Sequence, residues 1–287
     1  MNNIERLLHG SIDMHAHYGP DPNVKRKMDA LLGAQQARAA GMRAIVLKSH
    51  DYPTAPLAYS VNQTVTDLSV FGSITLNREA GGLSPDVVET SAKLCAKIVW
   101  MPTFSSNYDY IRKTFKTGGI SILDGHGKLL PVVEKILRIA KHYDIVVATG
   151  HLPVNECFIL VKKAANIGLS KIVATHPLGF EVNTYFTIEQ QRRIADEGAF
   201  VEYCFVTTLR EDGIDPKEMA KAIKVVGASR CILSTDLGQA DNPAPVEGMR
   251  LMISTMLNNG LNEKEIELMV KTNPSYLLGL EKRISSI

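Results

Sequence analysis

The sequence predicts an α/β fold, a single (β/α)8 or TIM barrel, on three observations. Eight short apolar runs recur along the 287 residues, each followed by a turn and a longer segment of helical periodicity. Several runs (AIVLK, IVVAT, CILS) are apolar on both parities, as parallel strands covered on both faces are. Eight such β–α units in about 270 residues match the usual size of a barrel of this kind. A doubly wound open sheet is the structural alternative.

Taken in order, the runs are Ser11–His17, Ala44–His50, Val70–Asn77, Lys97–Thr103, Ile145–His151, Lys171–Pro177, Ala199–Phe205 and Cys231–Leu237. Between them, Ser84-Pro85 opens one helix with a cap and a first-turn proline, and Asp215-Pro216 opens another, with Glu218 placed to complete a capping box. Thr187 with Gln190 predicts a similar start. Gly41, Gly168, Gly198 and Gly227 each stand where a helix must end through a left-handed residue. One stretch departs from the repeat. After the fourth strand, ISIL, a DGHG turn and KLL predict an inserted β-hairpin near the mouth of the barrel. No low-complexity tract or Pro/Gly/Ser linker divides the chain, so one domain over residues 1–287 is expected.

Hydrophobic residues make up 45% of the chain, enough for one large core, and 32 Lys and Arg against 30 Asp and Glu leave a formal charge of +2. The basic residues are scattered, which argues against a nucleic-acid partner. Cys95, Cys157, Cys204 and Cys231 lie far apart without a C-x-x-C, each in an apolar context, and read as reduced core residues. The N-terminus lacks the cationic start and apolar core of a signal peptide, and no window approaches about 18 uninterrupted apolar residues. A soluble, cytoplasmic protein with no membrane partner is expected, acting on a small molecule. Homo-oligomerisation through the outer helices is open.

The chemistry lies at the strand ends. His15 and His17 are two residues apart on the first strand, so both imidazoles point the same way. Histidines also end the fifth strand (VVATGHLP, His151) and the sixth (KIVATHPLG, His176), and Asp236 ends the eighth (CILSTDLG). Any one of them alone reads as a buried histidine or a capping aspartate. Five at carboxyl ends of parallel strands would converge at one rim, where the sites of barrels lie.

These residues make the chain resemble the amidohydrolase superfamily, whose barrels carry H-x-H on strand one, single histidines ending strands five and six and an aspartate ending strand eight. MHAH, TGHLP, THPLG and STDLG carry the match, and the C-terminal TNPSYLLGL resembles the tail helix of that superfamily. The first strand begins almost at the N-terminus, so the resemblance is to the barrel-only branches without a flanking β-sandwich. It implies a divalent metal held by His15, His17, His151, His176 and Asp236. Imidazole with carboxylate suits zinc first, with manganese or ferrous iron as alternatives. A metal-bound water would attack an amide, cyclic amide, lactone or ester, with Asp236 as general acid/base.

The sequence departs from the family at the fourth strand, KIVWMPTF, which lacks the lysine or glutamate that bridges two metals in binuclear members. Lys48 and His50 share parity at the end of the second strand. Three readings of Lys48 stand: a carbamate bridging a second ion from an unusual strand, a point charge holding a substrate carboxylate, or a cap on the barrel rim. One ion is expected, and a second if Lys48 is carbamylated. Further substrate-binding candidates are His50, Arg78 as a carboxylate clamp or a surface salt-bridge partner, and Trp100 as a pocket wall. Asp13, on the parity of the two histidines, is expected to hydrogen-bond a ligand imidazole or to be paired structurally. Glu156 reads as a helix-capping acid. Tyr18 and Tyr52 are pocket candidates by position, and His9, His126 and His142 read as solvent-facing.

Two rival functions remain in view. A metal-dependent decarboxylase or hydratase acting on a small carboxylic acid would need a cationic clamp such as Arg78 or Lys48. A metal-binding barrel that has lost catalysis is disfavoured by the retained Asp236.

Overall fold

The computed structural model describes residues 2–179, 185–210 and 212–280. Within them nine parallel strands alternate with helices: β1 (Ile12–His17), β2 (Ala44–Lys48), β3 (Ser69–Phe71), β4 (Ser73–Thr75), β5 (Ile98–Trp100), β6 (Val146–Ala148), β7 (Ile172–Ala174), β8 (Phe200–Cys204) and β9 (Cys231–Ser234). They pair as two sheets, ordered β1-β2-β3 and β4-β5-β6-β7-β8-β9. Each of the eight apolar runs contains a strand, and the third contains two. Gly72 divides it, because a Cβ there would sit 2.3 Å from the Cα of Ala55 and 2.4 Å from its nitrogen, so a neighbouring backbone presses on the strand. Beside it, the Thr54 hydroxyl donates to Leu47 O (2.7 Å) and accepts from Ser73 N (2.8 Å), tying the end of β2 to β4.

At the outer edges, β1 meets the chain just beyond β9. Ala16 and Leu237 form a parallel bridge, and the amides of Asp236 and His17 donate to the carbonyls of His15 and Leu237, each at 2.7 Å. The buried Asp13 carboxylate takes the amide and hydroxyl of Thr235 at 3.1 and 2.5 Å.

Strand burial is two-sided, as the apolar runs require. One parity from both sheets, including Ile12, Met14, Val46, Trp100, Val146 and Ile232, forms one cluster with Leu277 and Leu278 of the terminal helix Asn273–Leu278. The opposite parity, with Ile45, Leu47, Val99, Val147, Val201 and Leu233, packs against the surrounding helices as the larger cluster.

The helix punctuation follows the residues. Ser84 accepts from Val87 N with Pro85 in the first turn, and Thr187 with Gln190 forms a reciprocal capping box. Asp215 departs from expectation: its carboxylate caps Lys217 N, without the Glu218 box. The four helix-ending glycines all have left-handed φ, from +70° to +104°. The stretch expected as a hairpin forms a turn with one antiparallel bridge, Leu123–Leu129. There the Asp124 side chain accepts from His126 N and Lys128 N, and backbone bonds from Asp124 N to Lys128 O and from Leu130 N to Ile122 O close the turn, but no strand of the described elements forms on either side. Cys157, Cys204 and Cys231 are buried, but Cys95 is exposed, because the chain turns through left-handed φ at 65° there to leave a helix. No described helix is long and apolar enough to cross a membrane.

Candidate metal centre

The centre is assembled first by the contact between β1 and the chain after β9. Alternation on β1 sends both imidazoles to one side, and their Nε2 atoms meet the same Asp236 oxygen, Oδ1, at 2.9 Å from His15 and 3.0 Å from His17. Asp236 reaches back over β1 because its backbone is left-handed, φ 52°, a conformation that costs a non-glycine residue of order 1–3 kcal/mol and is held only by its surroundings. Gly238 supplies that constraint. A Cβ there would lie 1.9 Å from the His17 carbonyl oxygen, so only glycine lets the chain lie this close.

Lys48, the last residue of β2, is buried and places Nζ 2.8 Å from His15 Nε2 and 4.5 Å above the Trp100 ring. His50, just beyond, stacks between Phe104 (3.9 Å between centroids) and His17 (4.8 Å), with Nδ1 2.8 Å from the Thr103 hydroxyl. His151 follows β6 and His176 follows β7, their rings 5.1 Å apart, with His176 6.0 Å from His15. His176 shares the unusual backbone of Asp236, with φ 28°. His17, Lys48, His50, His151, His176 and Asp236 line one cavity of about 310 Å³.

Two of the histidines have carboxylates behind them that the sequence reading missed. Glu202 on β8, fully buried, holds Oε2 3.2 Å from His15 Nδ1. Asp109, fully buried in the helix Asn107–Thr114, holds Oδ2 2.9 Å from His151 Nδ1. Such a contact fixes the tautomer and turns the other ring nitrogen outward. Glu202 was betrayed only by being an acid in an apolar run, AFVEYCF, where a buried charge must find a partner.

Burial drives the histidines toward neutrality. His17 falls to about 3, His50 and His176 well below the usual imidazole value, and His151 to about 4 despite the opposing pull of Asp109. At His15 burial also opposes the charge, but Asp236 and Glu202 outweigh it and raise the pKa. Burial would raise Asp236, yet His15 and His17 hold it well below the usual carboxylate range. Burial lowers Lys48. His17, His50, His151 and His176 are thereby favoured as neutral imidazoles beside an ionised Asp236 carboxylate, whereas His15 is biased toward its charged form; a metal requires the neutral ring.

Two donor sets among the described residues have their atoms within 4.8 Å of one another: His15, His17 and Asp236, and His15, Glu202 and Cys204. The first fits a divalent ion by its imidazole and carboxylate chemistry, and His17 Nδ1, buried, has no hydrogen-bond partner among the described residues. In the second, burial pushes the Cys204 thiol well up, away from the thiolate that binds metal, so Glu202 reads as the orienting group of His15.

Several expected roles are corrected by position. Trp100 is 1% exposed and lies beneath the cavity, 4.5 Å from the His15 ring, so it forms a floor for the histidines instead of a wall. Arg78 is exposed and stacks on Tyr110 at 4.6 Å. It is turned away because the preceding Asn77 is locked to His50 O and Thr103 and its own amide donates to Ser105. The cavity's arginines are Arg26 and Arg210. Asp13 binds the His15 amide and Thr235, not an imidazole. Burial raises it to about 6. Glu156 turns its carboxylate to Ser121 Oγ (2.8 Å) and Ile122 N (3.0 Å), latching the inserted stretch. His9, His126 and His142 are exposed as expected.

Among solved structures, the chain is similar to an amidohydrolase from Pseudomonas aeruginosa at 14% identity, over 97% of this chain and 100% of that one, with a TM-score of 0.65. It is also similar to the probable dipeptidase PvdM from Pseudomonas aeruginosa, at 11% identity over 96% of each chain, TM-score 0.68. A third is 2,6-dihydroxybenzoate decarboxylase from Rhizobium, at 11% identity over 95% and 99%, TM-score 0.60. These neighbours are amidohydrolase-superfamily members, and at such identities the likeness is one of fold. No curated protein matches the sequence. The family model described as "Family of unknown function (DUF6282)" matches residues 10–202, more than half of the chain, and the chain belongs to that family.

Proposed function

We propose that this chain is a metal-dependent enzyme that hydrolyses an amide, cyclic amide, lactone or ester of a small molecule. His15, His17, His151, His176 and Asp236 would hold the ion. The observation that carries the reading is the convergence of two Nε2 atoms within 3.0 Å of one Asp236 oxygen in a cavity also lined by His151 and His176. We read the two sheets, abutting at Gly72 and bridged at Ala16–Leu237, as one eight-stranded barrel in a single domain, with this cavity at its carboxyl rim.

These residues would hold a divalent ion, zinc first among the candidates, which would supply an electrophile for the substrate oxygen and lower the pKa of water toward about 7. Asp236 takes the proton of the attacking water and hands it to the leaving group. Glu202 and Asp109 keep Nδ1 of His15 and His151 occupied. His50, braced by Thr103 and Phe104, borders the substrate. Lys48, with Nζ 2.8 Å from His15 Nε2, would either help hold a second ion as a carbamate or stand as a fixed positive charge.

A metal-dependent decarboxylase or hydratase of a small carboxylic acid is the second reading. It is favoured by the cationic Arg26, Lys48 and Arg210 along the cavity. The test is metal analysis of the purified protein beside turnover of a panel of amides, lactones, esters and carboxylic acids. At least about one equivalent of divalent metal and chelator-sensitive turnover of one class are expected. Metal-replete protein that turns over none of the panel defeats the enzymatic reading.

A further inference from the structure

The segment between β1 and the helix Ala30–Ala39 contains a charged group with no role in the metal centre. Arg26 lines the cavity beside His17, Lys48 and Asp236, and its side chain is only 5% exposed. Its backbone is tied down by an antiparallel bridge to Gln239 and by Lys27 N donating to Gly238 O at 2.8 Å, three and two residues past Asp236. Its guanidinium is fixed by Asp21, whose Oδ2 accepts from Nε (2.9 Å) and Nη2 (2.6 Å).

Asp21 is saturated. Its other oxygen accepts from the amides of Asn23 (2.9 Å) and Val24 (2.7 Å), and these bonds with Arg26 hold its pKa low against the effect of burial. Arginine carries five N–H donors, and Asp21 uses two of them. The remaining three, both on Nη1 and one on Nη2, have no partner among the described residues. Held by Asp21 at a wall of the cavity, this guanidinium keeps donors for whatever occupies the cavity, and its planar fork suits a carboxylate.

The rest of the cavity says what the anion is attached to. Val24, Phe104, Leu178, Val206 and Ile214 form an apolar lining, and a volume of about 310 Å³ suits a small molecule and not a peptide or polymer. Among the described lining residues, the cations Arg26, Lys48 and Arg210 face the carboxylates Asp212 and Asp236. We propose that the substrate is a small carboxylate with an apolar body, and that Arg26, pre-set by Asp21, is the residue that selects it by binding the carboxylate. The proposal rests on this cavity being the substrate site of the enzyme described above.

Three probes test it on metal-loaded protein by calorimetry: benzoate, its neutral counterpart benzamide, and acetohydroxamate, a metal chelator. Arg26→Met removes the donors but keeps the stem, and Asp21→Asn/Arg26→Met removes both charges so that no buried aspartate is left unpaired. Benzoate should bind the wild type and weaken by about tenfold or more in both variants, the scale of a lost charge-assisted contact. Acetohydroxamate should bind all three proteins alike, and benzamide weakly and alike. No benzoate binding to the wild type, or benzoate affinity within about twofold of wild type in both variants, overturns the proposal, as does an equal loss for benzamide. If acetohydroxamate fails to bind the wild type while the benzoate loss is seen, the metal reading falls and the carboxylate site stands.

Discussion

His15 and His151 each rest on a buried carboxylate, but the two are held by different kinds of structure. On the β1 side, His15, His17, Asp236 and Glu202 all come from strands or lie within two residues of one, and backbone hydrogen bonds fix their spacing. On the far side, Asp109 comes from the helix Asn107–Thr114, in the stretch that departs from the β–α repeat. There it shares its charge with the half-exposed Arg112 and Lys113 at 3.3 Å each. One side is positioned by the sheet, the other by a helix that faces solvent. The difference teaches that a donor's partner can be strong in geometry and weak in anchorage.

The largest effect belongs to the sheet side. Asp236→Asn should keep most of the metal and lower turnover by about 100- to 10,000-fold, measured as kcat with metal content determined in parallel. Retained activity would remove Asp236 from the proton-transfer role. Next come the orienting carboxylates. Glu202→Gln should weaken metal affinity by about 10- to 100-fold in chelator competition, and Asp109→Asn by about tenfold, the low end of that range. An Asp109 effect equal to or above that of Glu202 would break the comparison.

Lys48→Ala sharpens it on a third strand. If Lys48 is a fixed charge, metal content stays at the wild-type value, whereas a bridging carbamate predicts loss of one of two equivalents. The smallest effect is chemical. A thiol reagent at pH 8 should label Cys95 alone in the native protein, because burial pushes Cys157 up to about 12 and Cys204 and Cys231 upward as well. Denaturant should release the other three.

Much of this architecture could be read before any coordinates. Two-sided apolar runs located the strands because burial on both faces leaves no polar parity, and strand ends located His15, His17, His151, His176 and Asp236 because alternation and direction are local properties. What escaped depended on distant contacts. Glu202 sits inside an apolar strand, and nothing near it names His15 as its partner. Asp109 looks like an ordinary first-turn helix acid, a role that Ser106 and the helix start would explain. Arg26 lies in a loop whose path is set by pairing with residues 238–240, far along the chain. Arg78 as a clamp and Trp100 as a pocket wall follow from their positions after strands, but the locked Asn77 side chain turns Arg78 outward and the parity of β5 sends Trp100 into the inner cluster.

Gly238 works as a spacer of zero thickness. With its missing Cβ 1.9 Å from the His17 carbonyl and 2.9 Å from the His17 Cβ, the gap between the two ligand-bearing segments is as narrow as two backbones allow. The distance from Asp236 to the paired histidines is therefore gauged by main chain, and side-chain rotation can do little to widen it. Changing the spacing of this donor set would mean moving a whole strand, which makes the position after Asp236-Leu237 the dimension that an engineer would have to change first.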